Sequence, residues 1–226
     1  DPTREELYTF LDEFIGEMAA LFPFEYIHIG GDEVNGKKWS ANPQIQTFMR
    51  ERGLKSNHDL QSYFNRRLLH ILQKHGKKMV GWDEVLHPDI PKDIVVHSWR
   101  GQKSLAGAAR QGNPGILSSG YYLDHMQSAA FHYGVDPLEG EMAGLTQEEK
   151  SRILGGHACM WAEYVTPENV DSRIWPRLAA IAERLWSPQS VKDVDSMYRR
   201  LAVVSARLEW LGVDHRRNYR LILERL

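Results

Sequence analysis

Asp32 and Glu33 stand side by side in the stretch HIGGDEVNG, His28 to Gly36, where an apolar run gives way to two glycines and then to acid. Neighbouring carboxylates at the end of a buried strand have three readings. They are a solvated loop pair, a divalent-cation site, or a pair that moves a proton and offsets charge on a bound substrate. The stretch alone does not choose among them. Four further stretches end in the same way: GWDE with Trp82, HSWRG with Trp99, GYYLD with Tyr121, Tyr122 and Asp124, and CMWAE with Trp161 and Glu163. A single tryptophan is by default core filler. Several at successive strand ends, beside acids, suit a polar ligand with an apolar face. His28, His97 and His157 lie within apolar runs; His28 and His97 read as structural, the role of His157 is open, and no pair has a metal-ligand spacing. Cys159 reads as a small buried hydrophobe.

The elements that must hold these residues follow from periodicity and punctuation. Thr3 and Glu6 have capping-box spacing ahead of Leu7, Phe10, Leu11, Phe14, Ile15 and Met18 at helical period. FEYIHIGG then reads as a strand. In NPQIQTFMRERG, Asn42 is a cap, Pro43 the first helical residue and Gly53 the stop. SNHDLQSYFNRRLLHILQKHG is a longer amphipathic helix closing at Gly76. KKMVGWDEV, DIVVHSWRG, GILSSGYYLD and RILGGHACMWAE supply four more strands, with the helix QKSLAGAARQG between the third and fourth. The segment from His125 to Lys150 is an irregular insertion with one short helical stretch. From about Ser172 the chain is helical, broken at Ser187-Pro188 and Gly212-Val213.

Alternating strands and helices predict an α/β fold with a parallel sheet and helices outside it. Chemistry-bearing groups at the end of every strand favour a (β/α)8 TIM-type barrel over a doubly wound sheet, which gathers its site at one crevice. Five strands fall short of eight, so the expected architecture is a partial barrel lacking the first strands. Residues 1–226 are expected to form a single catalytic domain, with C-terminal helices over 190–226. Raw edges of an incomplete parallel sheet recruit partners, which predicts a homo-oligomer.

Composition narrows the function classes. The chain has 226 residues, 42% hydrophobic, enough for a sizeable core. A net charge of −2 with signs well mixed gives no basis for binding nucleic acid or an anionic membrane. No apolar run approaches membrane-spanning length. One cysteine excludes an internal disulfide and a cysteine-based zinc site. The chain opens on Asp1 with no signal-peptide pattern, as a processed product or a piece of a longer protein would, and localisation is left undetermined.

Taken together, the strand endings resemble glycoside hydrolase family 20, the β-N-acetylhexosaminidases. HIGGDEV is that family's most diagnostic stretch, and GWDE, GYYLD, CMWAEYV and WPRLAAIAERLWS follow in the family's order. The resemblance runs from Asp1 to about Gly212. It implies the C-terminal part of the catalytic barrel, strands four to eight. It also implies exo-acting hydrolysis of terminal GlcNAc or GalNAc from oligosaccharides or glycoconjugates, with no metal or organic cofactor.

The family is an exception to the two-carboxylate retaining scheme, because the sugar's own 2-acetamido oxygen is the nucleophile. By resemblance Glu33 is the general acid and base, Asp32 orients the acetamido N–H, and Tyr122 donates to the acetamido oxygen. Asp124 and Glu163 match acids that bind ring hydroxyls. Trp82, Trp99 and Trp161 match the tryptophans that wall the pocket. Gly30 and Gly31 are expected to let backbone approach the substrate closely. Arg173, Trp175, Pro176, Arg177, Glu183 and Arg184 belong to a terminal helix read as scaffold, with Glu183 pairing an arginine. The family's upstream arginine clamp and supporting histidine fall before Asp1. The alternative is a non-catalytic remnant that still binds N-acetylhexosamine. An extracellular, periplasmic or lysosomal setting accords with the family.

Overall fold

The computed structural model describes residues 1–216; the expected helical segment beyond position 216 lies outside the described residues. Two compact units divide the chain, Asp1–Ser98 with Gly107–Gly115, and Trp99–Ala106 with Ile116 onward.

In the first unit, helix α1 (Glu5–Leu21) leads into strand β1 (Tyr26–His28), followed by the short helix α2 (Lys37–Ser40), α3 (Pro43–Glu51), α4 (Asn57–Lys74), β2 (Lys78–Trp82) and β3 (Val95–Ser98). The three strands are neighbours in chain order and all parallel, with Ile27 opposite Met79 and Gly81 opposite Val96. Their core joins Ile15 of α1, Leu68, Leu69 and Leu72 of α4, and Met79 and Val96 of the sheet. Each such side chain contributes about 1.5–3 kcal/mol on leaving water.

The local signals largely hold. Asn42 accepts from the amides of Gln44 and Ile45, with Pro43 in the first turn. Ser56 and Asp59 form a capping box at the start of α4. The Thr3–Glu6 box does not form. Thr3 Oγ1 donates instead to Asp1 Oδ1 at 2.8 Å, and the helix starts one residue later, on an Arg4 cap without a side-chain bond. β1 is also shorter than FEYIHIGG, because Gly30 and Gly31 turn left-handed at φ +73° and +97°.

The second unit contains the beginning of α5 (Gln102–Gln111), most of β4 (Gly115–Leu117), and α6 (Ala129–Gly134), α7 (Gln147–Lys150), β5 (Ile153–Gly156), α8 (Val170–Ile174), α9 (Arg177–Trp186) and α10 (Val194–Trp210). β4 and β5 are neighbours, and pairing resumes past their ends at a parallel bridge between Tyr122 and Cys159. Ala129, Tyr133, Ala180, Met197 and Leu201 form a core among α6, α9 and α10. The breaks at Ser187-Pro188 and Gly212-Val213 fall where expected, at the ends of α9 and just past α10. Glu183 pairs with Arg200, which holds its carboxyl below the usual range. β5 stops at Gly156, so His157, Cys159, Trp161 and Glu163 stand beyond the strand rather than in it.

Among the described residues no helix is long and apolar enough to cross a membrane. The α/β class with parallel strands stands as expected.

One glycine is set by close packing. A Cβ on Gly81 would lie 2.3 Å from Cγ1 of buried Val85 and 3.3 Å from the Gly30 carbonyl oxygen. Neither neighbour is a flexible tip. Gly81→Ala is therefore expected to lower unfolding free energy by about 1–3 kcal/mol, as overpacking does, read as a lower urea midpoint.

Candidate active site

The turn that carries Asp32 and Glu33 is built by the strands beneath it. Ile29 N donates to Val80 O at 2.8 Å and Trp82 N to Gly30 O at 3.0 Å, so β1 and β2 stay zipped two residues beyond the end of β1. Gly30 N donates to His28 Nδ1 at 3.0 Å. Gln61 of α4 donates to the Gly31 carbonyl at 2.6 Å. The left-handed φ values, not steric closeness, are what demand glycine at 30 and 31. A Cβ on either would meet only ordinary contacts, the nearest at 3.6–3.7 Å. Glu33 is itself left-handed at φ +54°, a costly position for a non-glycine residue. Its amide donates to Glu84 Oε1 at 3.4 Å. The result is an exposed turn on which both acids project into solvent from a backbone fixed on two sides.

Below that turn His28, Trp82 and His97 pack together. Trp82 stacks on His97 at 4.2 Å between ring centroids and meets the edge of His28 at 4.8 Å. His28 Nδ1 accepts from Gly30, so in the neutral ring the proton sits on Nε2, which faces His97 Nδ1 at 3.3 Å. His28 thus serves the turn as a hydrogen-bond acceptor, as its structural reading expects. Trp82 is 9% exposed.

In the second unit the Tyr121-Tyr122 doublet resolves. Tyr121 is fully buried, with its hydroxyl donating to Val135 O at 2.8 Å. It fills space left by Gly156, where a Cβ would lie 2.5 Å from the Tyr121 ring. Tyr122 is half-buried, and burial raises its phenol pKa, opposed by side-chain hydrogen bonds with Ser118 and Trp161. The Trp161 indole can only donate, so the Tyr122 oxygen accepts from it, and the Ser118 hydroxyl is a second partner.

Asp124 Oδ1 accepts from the Trp161 amide at 3.4 Å. Tyr122, Asp124 and Trp161 are therefore brought together, two from the segment after β4 and one from the segment after β5. Trp161 remains 44% exposed, and Glu163, two residues on, is exposed. Trp99 is half-buried, with the Arg100 guanidinium 4.6 Å over its ring. Cys159 is buried as expected, and burial pushes its thiol up to about 11.

Several contributors are invisible in linear sequence. Gln61 reaches the first turn from 30 residues away, and His97 reaches His28 beneath it from 69. Arg177, read as scaffold, sends its guanidinium to Leu123 O at 2.7 Å and Gln127 O at 3.0 Å.

Comparison with known proteins identifies the family. The model of the glycosyl hydrolase family 20 catalytic domain matches residues 1–189. The mouse β-hexosaminidase subunit beta is 36% identical over 222 residues, which cover 94% of this chain and 41% of that protein. A β-hexosaminidase of Porphyromonas gingivalis is 38% identical, over 94% of this chain and 29% of its own length. A solved Flavobacterium johnsoniae chitobiase is 50% identical with a TM-score of 0.92, covering 99% of this chain and 35% of that one. An exo-β-N-acetylglucosaminidase from Vibrio harveyi, solved with N-acetylglucosamine, is 32% identical with a TM-score of 0.85, over 96% of this chain and 37% of its own. The chain spans less than half the length of each of these relatives. With the family match over most of its residues and the strand-end groups held as described, the chain belongs to glycosyl hydrolase family 20.

Proposed function

We propose that this chain acts as one catalytic domain of an exo-acting β-N-acetylhexosaminidase, which removes terminal GlcNAc or GalNAc by a substrate-assisted retaining mechanism. Asp32 accepts from the acetamido N–H and offsets the positive charge that grows on that group. The acetamido oxygen bonds to the anomeric carbon while the bond to the leaving oxygen breaks, and Glu33 gives that oxygen its proton. Glu33, now a carboxylate, takes a proton from the water that opens the oxazolinium ring. Tyr122 donates to the acetamido oxygen and aims it. Asp124 and Glu163 bind ring hydroxyls, and Trp82, Trp99 and Trp161 exclude water around the sugar.

The observation that carries this proposal is the grouping of Tyr122, Asp124 and Trp161: the Trp161 amide donates to Asp124 Oδ1 at 3.4 Å, and partly buried Tyr122 bridges in parallel to Cys159, two residues before Trp161. Solvated loop residues have no need of that arrangement. The fixed exposed turn at Asp32-Glu33 supports the same chemistry.

The test compares p-nitrophenyl N-acetyl-β-glucosaminide with the matching β-glucoside, which lacks the acetamido group. Only the first is expected to turn over, with the β configuration retained in the released sugar. An N-acetylglucosamine thiazoline, which mimics the intermediate, is expected to compete. Equal cleavage of both glycosides would mean an enzymic nucleophile and defeat the substrate-assisted mechanism. Loss of activity with a chelator would favour a metal at the carboxylates. Thiazoline binding without any turnover would identify a binding remnant.

A further inference from the structure

Arg177, the first residue of α9, is fully buried, yet its hydrogen-bond partners among the described residues are carbonyls rather than a carboxylate. Its guanidinium donates to Leu123 O at 2.7 Å, to Gln127 O at 3.0 Å and to Arg173 O in its own helical neighbourhood. Burying a cation without an ion pair is costly, and burial pulls Arg177 down to about 10. Apolar packing would stabilise the same volume at less cost. The position of the carbonyls suggests what the charge does there.

Leu123 lies between Tyr122 and Asp124. Its amide donates to Cys159 O at 2.8 Å, and its carbonyl accepts from Arg177. The peptide between the two side chains is therefore pinned at both ends, one from the strand-end segment after β5 and one from α9. Gln127 O anchors the exit of the same turn, past Met126, which is left-handed at φ +57°. Arg177 also attracts the Asp124 carboxylate through charge. Its planar fork holds two divergent carbonyls at once, which a single ammonium on a flexible stem cannot match.

We propose that Arg177 is a positioning residue that sets the Tyr122–Asp124 turn, so that the phenol and the carboxylate present to the same sugar from one rigid peptide. This rests on the hydrolase activity proposed above. Arg184 is its internal control. It lies two turns further along α9, is 4% exposed, and also grips carbonyls, those of Val191, Ser187 and Pro188, which close the end of α9. The two arginines share a helix, a depth and a grip on carbonyls; they differ in which turn they hold, and Arg184 also has the buried Asp136 carboxylate 3.9 Å from its Nε.

The experiment pairs Arg177→Lys with Arg184→Lys in the full chain. Steady-state kinetics on the N-acetyl-β-glucosaminide, normalised to folded protein, are read beside hydrogen exchange over residues 118–127 and 187–191. Arg177→Lys is expected to lower kcat/KM about 10–100-fold, with kcat down and KM up together, because Tyr122 serves the reacting group and Asp124 the ring hydroxyls. Exchange over 118–127 is expected to rise. Arg184→Lys is expected to raise exchange over 187–191 and leave the kinetics of the folded fraction near the parent's.

Unchanged exchange over 118–127 in Arg177→Lys would overturn the proposal, as would an equal kinetic loss in both variants. If Arg177→Lys does not fold, Arg177→Gln, with one amide donor for Leu123 O, is read the same way. A parent chain without turnover would count against the hydrolase activity alone, since the exchange pattern still decides what Arg177 holds.

Discussion

Glu33→Gln is expected to lower kcat on a GlcNAc disaccharide by about 10²–10⁴-fold, the usual worth of a general acid, with KM within a few-fold of the parent. The amide fills the same space and cannot protonate the leaving oxygen. On a p-nitrophenyl glycoside the loss is expected to be smaller, because a nitrophenolate departs without a proton. Asp32→Asn has a different signature. It removes the charge that offsets the developing oxazolinium and turns part of the acceptor into a donor. A loss of about 10²–10³-fold is expected, similar for both leaving groups. Both residues are exposed, so neither change is expected to move stability by more than about 0.5 kcal/mol. The measurement is the ratio of losses on the two substrates. Equal losses for Glu33→Gln on both would remove it as the acid, and a leaving-group-dependent loss for Asp32→Asn would exchange the two roles.

Tyr122→Phe is expected to cost about 10²-fold in kcat/KM and to weaken thiazoline binding in step, since the analogue carries the ring that Tyr122 is proposed to stabilise. Burial raises the phenol pKa, and the protonated phenol is the form that donates. The donor is therefore present through the ordinary phenol range, to about pH 10 and beyond. A fall in activity on the alkaline side at lower pH belongs to another group and is expected to persist in Tyr122→Phe. Its disappearance in the variant would show that Tyr122 titrates lower than its surroundings imply. Tyr121→Phe separates the doublet. It loses a hydrogen bond to Val135 O and is expected to cost about 1 kcal/mol of stability with little change in the kinetics of folded protein.

Local rules were enough for elements whose causes are local. Asn42 with Pro43 starts α3 because a side-chain oxygen and a missing N–H meet the first-turn requirements within three residues. Strand–helix alternation announced a parallel sheet because parallel neighbours need a crossover between them. The acids and aromatics at strand ends were legible for a related reason: in such sheets chemistry gathers where strands stop. The Thr3–Glu6 spacing misled because Asp1, also nearby, took the threonine hydroxyl.

Sequence by itself therefore determined the α/β class, the family, and the candidate residues from Asp32 to Glu163. It could not tell which tyrosine of the doublet is buried, since both stand at the same strand end. The buried space opposite Gly156 and the Val135 carbonyl decided that, by taking Tyr121 inward. Nor could it assign Gly30 and Gly31 to backbone conformation and Gly81 to close packing, because a glycine's neighbours are set by folding. His28 with His97, Gln61 with Gly31, and Arg177 with Leu123 are 69, 30 and 54 residues apart. No periodicity links such pairs. Only the packed tertiary structure brings a donor to the one carbonyl or ring nitrogen that holds a strand-end turn in place.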